Sequence, residues 1–246
     1  MGTEFPVRHF TSIDSTNTEA HRLIAAGEQG PLWLRADEQL AGRGRLGRKW
    51  TSLPGNLYAS LIYPTSAPVK VLPQLAFVVA LAACDMVRTI MPGAQVHLKW
   101  PNDCLIDGAK VAGILCEAVS QPHAIAVLGC GINIAHAPTG LNYPATSLAG
   151  QGIVISVDEG FATYATALTN WLAIWADGRG FEAIRAAWLD HAIGLGEIVN
   201  INAATGIFAG INEQGAILLE NAQGDIQTHH AGDLFIPSLA QLRKHH

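Results

Sequence analysis

Apolar positions recur along this chain with two periods, and the changes from one to the other mark out its elements. Residues 15–27, "STNTEAHRLIAAG", have helical spacing. Thr16 and Glu19 fit a capping box, and Gly27 fits a stop. "PLWLRA" (31–36) and "NLYASLIY" (56–63) are short apolar runs bounded by turn residues, and they predict strands. The stretch around 70–90 predicts a buried helix, and "VHLKW" (96–100) a short strand broken by Pro101. Residues 103–119 predict a hairpin turning at Asp107-Gly108. "HAIAVLGCGINI" (123–134) predicts a strand with a glycine-rich end. A second capping box, Ser156 and Glu159, opens a helix carrying Phe161, Tyr164, Leu168, Trp171, Leu172 and Trp175 on one face. Those aromatics predict core. Another helix spans about 181–192. After Gly194 the texture becomes short apolar runs separated by glycine and Asx turns, which predicts a small barrel of short strands. The expected division is therefore residues 1–193 and 194–246.

The totals narrow the classes. The chain has 246 residues, of which 49% are hydrophobic and 14% charged, enough for a core and without a disorder signature. A net charge of -5 argues against an extended nucleic-acid-binding face. The longest apolar run, Leu75 to Cys84, is too short to span a bilayer, which takes about 20 residues. No signal-peptide pattern opens the sequence. Cys84, Cys104, Cys116 and Cys130 lack C-x-x-C or zinc spacing, so they read as free thiols and no metal–thiolate site is expected. The expected setting is the cytoplasm, without membrane or nucleic-acid partners.

One segment runs against the acidic balance. "AGRGRLGRKW" (41–50) places four cations between Arg43 and Lys49, interleaved with Gly42, Gly44 and Gly47. It satisfies G-x-G-x-x-G, but Pro54 and Gly55 follow where a dinucleotide-binding fold needs a helix. It nearly fits a P-loop, but Arg48 and Trp50 replace the lysine and hydroxyl. Arginine forks and close backbone N–H groups still suit a phosphate or carboxylate. Such a loop repels itself when empty, so it is expected to order around an anion.

Four further islands stand beside it: Ser15-Thr16-Asn17, Lys99 to Asp103 ("KWPND"), Lys110 to Glu117 ("KVAGILCE") and Gly129 to Asn133 ("GCGIN"). Taken in order with Gln39 to Trp50, they resemble the biotin protein ligases over about residues 5–237. Leu46 fills a position that is often arginine in that family. Read singly, Ser15-Thr16-Asn17 is a helix cap, Lys110 a solvated cation and Gly129 with Gly131 a plain turn.

The resemblance implies an α+β fold, with a mixed-sheet catalytic domain followed by a small SH3-like barrel. It implies ATP-dependent activation of biotin to biotinyl-5'-AMP, then transfer to a lysine of a biotin carboxyl carrier protein. Biotin would be held by Ser15, Thr16, Asn17, Gln39, Arg43, Gly44, Arg45 and Lys110. Nucleotide would be held by Arg43, Arg45, Trp50, Asn102, Asp103 and Asn133, with Mg²⁺ arriving alongside ATP and no metal in the apo protein. Lys110 and Arg45 would carry the catalytic charge. The first motif begins near residue 14, which leaves no room for three DNA-binding helices, so a ligase without a repressor segment is expected, as a monomer or homodimer. A lipoate or octanoate ligase of the same fold lacks the arginine-glycine loop. A non-catalytic adenylate sensor would be expected to lose Lys110 or a loop arginine.

Overall fold

A computed structural model describes residues 5–119 and 124–242. Its centre is a seven-stranded mixed sheet. In chain order the strands are β1 (Val7–Ile13), β2 (Leu32–Gln39), β3 (Leu57–Pro64), β4 (Val96–Lys99), β5 (Asp103–Ile106), β6 (Ala109–Val119) and β7 (Ile125–Ile132). They lie in the order β1-β2-β3-β7-β6-β5-β4, with β1 and β2 parallel and every other pair antiparallel.

The central strands read as continuous apolar runs because both faces of the sheet are covered. Trp33 and Leu61 point into the main core, while their neighbours Leu34 and Ile62 point into a smaller core beneath α1 (Thr16–Ala25). The main core is closed by α2 (Leu75–Ile90), α3 (Val157–Trp175) and α4 (Phe181–Asp190). Trp33 meets Phe161 and Tyr164 edge to face at 5.3 and 5.9 Å, so the α3 aromatics are core, as their spacing predicts. One stretch among the described residues, Val69–Ile90, is long and apolar enough to cross a membrane, but its most apolar window is 67% buried inside the protein. It is the core helix that the sequence predicts.

Three local expectations shift. The cap of α1 is Ser15, whose hydroxyl accepts from the Thr18 N–H at 3.5 Å. Thr16 is already helical, because its hydroxyl is engaged with Gln39 Oε1 at 3.1 Å and with Ser60, and Glu19 turns to Arg22 instead of closing a box. Gly129 and Gly131 lie within β7, not in a turn. Strand β1 was not signalled, because an exposed edge strand shows no apolar alternation. His123, expected at the start of β7, lies outside the described residues.

Beyond α4, residues 191–193 run beside β4, with Leu98 N–H donating to the His191 carbonyl at 2.8 Å. Five short antiparallel strands follow: β8 (Ile198–Ile201), β9 (Ala204–Ile211), β10 (Ile217–Glu220), β11 (Ile226–His229) and β12 (Leu234–Phe235). Their order is β11-β10-β9-β8-β12, and α5 (Pro237–Leu242) ends the described chain. Phe208, Ile217 and Leu234 join the same core as α2. Trp100, wedged between the two sheets, donates its indole N–H to the Gly215 carbonyl at 3.1 Å.

Candidate active site

A cavity of about 550 Å³ opens over the β6–β7 floor, walled by the 41–50 loop, the start of α1, the β4–β5 connection and the segment around Asp233. It gathers Ser15, Thr16, Asn17, Gln39, Arg43, Gly44, Arg45, Trp50, Asn102, Asp103 and Lys110 from segments far apart in sequence. Asn133 is the exception. It is buried at 1% exposure, with its amide donating to the Thr146 carbonyl at 3.0 Å and its backbone N–H to Val111. Its side chain braces the segment that carries Thr146, and it is not among the residues that line the cavity.

The floor is a strip of glycines on neighbouring strands. Gly113 pairs with Gly131, and Gly129 with Leu115. A β-carbon at Gly131 would come within 2.5 Å of Trp50 Nε1, one at Gly113 within 2.8 Å of the same ring, and one at Gly129 within 2.1 Å of Asn17 Oδ1. Glycine within a strand costs stability and marks a close approach. Here it admits Trp50 and Asn17. Gly131→Ala is therefore expected to displace Trp50 and raise the KM for the first substrate about 10-fold, an overpacking effect of about 1–3 kcal/mol. Steady-state kinetics alongside a melting curve would test it. A normal KM would show that the slot can spare the space.

One end of the cavity is neutral and polar. Gln39 Oε1 accepts from the Thr16 N–H at 2.8 Å, and its Nε2 donates to Ser52 Oγ at 3.0 Å. Ser60, a buried serine in an otherwise apolar strand, lies 2.6 Å from Asn17 Oδ1 and 2.7 Å from Thr16 Oγ1. Ser60 escaped the motif reading, although a lone serine in "NLYASLIY" was the available signal.

The other end is cationic. A register shift between Cys104 and Leu105 offsets β5 against β6 and puts Lys110 on the same face as Gly113, whose notional β-carbon would lie 3.3 Å from Lys110 Cε. Lys110 Nζ lies 2.5 Å from Asp103 and 5.2 and 5.5 Å from the Trp50 and Tyr143 ring centres. The Trp50 indole N–H is buried against the floor at Gly131 and has no hydrogen-bond partner among the described residues.

The 41–50 loop carries internal ties of its own. Gly42 and Trp50 pair across its base, Gly44 N–H donates to the Arg48 carbonyl at 2.7 Å, and a tight turn runs through Arg45–Gly47. Internal carboxylates supply the counter-charge. Arg43 pairs with Glu117, and Arg48 with Asp233. That pairing, with burial opposing it, holds the Asp233 carboxyl below its usual range. Arg45 is different. Its polar contact is a long one, 3.5 Å to Asn102 Oδ1, and burial pushes its guanidinium down from the ordinary arginine value. Of the three loop arginines it is the one without an ion pair among the described residues, and it faces the cavity. The four cysteines are free, and burial pushes Cys84 and Cys130 up to about 12, so they are inert thiols.

Comparisons agree with this geometry. Residues 9–133 match the model of the biotin/lipoate A/B protein ligase family. The chain is 40% identical over 224 residues to the biotin–[acetyl-CoA-carboxylase] ligase of Paracoccus denitrificans, covering 86% of this chain and 92% of that protein. It is 32% identical over 241 residues to the bifunctional ligase/repressor BirA of Escherichia coli, covering 92% and 72%. Among solved structures, the biotin protein ligase from Aquifex aeolicus in complex with biotin and ATP is similar at a TM-score of 0.79 and 28% identity, over 93% of this chain and 97% of that one. With the cavity, the loop and these matches in agreement, the chain belongs to the biotin/lipoate A/B protein ligase family, among its biotin protein ligases.

Proposed function

We propose that this cavity joins biotin to ATP, giving biotinyl-5'-AMP and pyrophosphate, and then passes biotin to a lysine of a biotin carboxyl carrier protein in the cytoplasm. One observation carries the reading. A single cavity has a neutral hydrogen-bonding end and a cationic end, which matches a ligand with a ureido head and a carboxylate tail. Ser15, Thr16, Asn17 and Gln39 lie at the head. The carboxylate reaches Arg45 and Lys110, where its oxygen attacks the α-phosphorus and pyrophosphate leaves. Lys110 offsets the charge that builds on the α-phosphate oxygens, and the Trp50 ring packs beside it. Gly44 lets the loop backbone approach, and Asn102 and Asp103 border the nucleotide.

Mg²⁺ enters as a companion of the ATP phosphates. No group of three or more acidic, histidine or cysteine side chains among the described residues forms a metal cage, and Asp103, which lines this end of the cavity, is the carboxylate that would hold the ion. In the second step a neutral lysine amine attacks the biotinyl carbonyl and AMP departs. Residues 194–246 are taken as a second domain that contributes Asp233, Leu234 and Phe235 to the cavity wall. The test is ATP–pyrophosphate exchange with purified protein and Mg²⁺. Exchange is expected with biotin and not with lipoate or octanoate, and exchange supported by lipoate alone would move the assignment to the other branch of the family.

A further inference from the structure

Glu117 closes the Lys110–Glu117 island, yet the chemistry above gives it no task. Three donors converge on its carboxylate. Asn17 Nδ2 donates at 2.8 Å, Arg43 pairs with it from the loop, and His21 Nε2 lies 3.3 Å away. Burial raises this carboxyl, but the Asn17 hydrogen bond and the charges of Arg43 and His21 outweigh it and hold Glu117 below its usual range, so it is ionised at neutral pH.

The contacts continue in both directions. Asn17 also donates to the Leu115 carbonyl at 3.1 Å, which occupies both amide hydrogens on β6 and leaves Oδ1 facing Ser60. From Ser60 the path runs to Thr16, Gln39 and Ser52, and the Ser52 hydroxyl donates to the Trp50 carbonyl at 3.1 Å. A continuous polar chain therefore leaves the cationic loop at Arg43, crosses the pocket floor, and returns to the loop at Trp50. Both feet of the loop are tied to the residues that line the polar end of the cavity.

We propose that Glu117 is a positioning residue that locks the Asn17 amide and the Arg43 foot of the loop together, so that the polar pocket and the loop are set as one unit. Where this concerns biotin, it rests on the function proposed above. Glu117→Gln keeps an oxygen for Asn17 but removes the charge that holds Arg43. In pyrophosphate exchange it is expected to raise the KM for biotin about 10-fold, with kcat changed by less than about 3-fold, because loosened positioning is felt in binding before chemistry. In an Arg43→Gln background the same substitution is expected to add nothing, because its partner is gone.

Limited trypsin digestion without ligand reads the clamp independently of biotin. Glu117→Gln is expected to speed cleavage at Arg45 and Arg48 about 10-fold at an unchanged melting temperature. If wild type shows no biotin-dependent exchange but the digestion result holds, the substrate reading fails and the clamp stands. An unchanged KM, an equal KM effect in both backgrounds, unchanged digestion, or a lowered melting temperature with a proportional fall in kcat would each overturn the positioning role.

Discussion

Lys110→Ala lowers the rate of adenylate formation by about 10²-fold or more, the scale expected when one preorganised charge is removed from a site of developing charge. The structure adds a complication. Lys110 is only 14% exposed and is ion-paired with Asp103, itself 22% exposed, so the substitution strands a largely buried carboxylate. Breaking one side of such a pair destabilises a protein by more than the pair itself contributes. The measurement is therefore made on two proteins, Lys110→Ala and Lys110→Ala/Asp103→Asn. In the second no stranded charge remains, and stability should recover while the rate stays low. If the double variant regains near-normal first-step rate, Lys110 acts by neutralising Asp103 and not on the substrate.

Arg45→Gly yields a ligase that leaks its intermediate. Arg43 and Arg48 already have carboxylate partners, Glu117 and Asp233. Among the described residues Arg45 makes a 3.5 Å contact with Asn102 and no ion pair, so its guanidinium is the loop arginine left to bridge ligand carboxyl and phosphate oxygens. Removing it deletes a charge-assisted contact and puts a fourth glycine between residues 42 and 47. Each effect is about 1 kcal/mol, enough to shift an open–closed equilibrium several-fold. Lys110 remains, so adenylate still forms. A mixed anhydride released to solvent acylates any exposed lysine amine. The expected result is a several-fold rise in biotin incorporated into serum albumin, compared with wild type at matched adenylate formation. No rise would confine Arg45 to the initial capture of ligand.

How much of this was legible beforehand depends on the range of each interaction. The α3 face, the Asp107-Gly108 turn and the buried α2 helix follow from local periodicity and turn chemistry, and all three stand where the pattern puts them. The chemistry of the loop was legible too, because four cations among three glycines are unusual in a chain with net charge -5. The shift of the α1 cap from Thr16 to Ser15 was not, since it depends on Gln39 and Ser60 competing for the Thr16 hydroxyl across the sheet. Edge strand β1 left no signal, because it has almost no apolar face to display.

The sequence by itself determined most of the elements and which residue types the site would use, because periodicity and residue chemistry are local properties, while the α+β class came with the family resemblance. The tertiary structure alone decided their geometry. A strand offset aims Lys110 into the cavity, three glycines on paired strands make a floor for Trp50 and Asn17, and Asn133 is anchored to the Thr146 carbonyl. It also decided which loop arginine is left for the ligand, by bringing Glu117 to Arg43 and Asp233 to Arg48 from positions 74 and 185 residues away. Side-chain pairing over such separations depends on strand order and register, which no local pattern encodes.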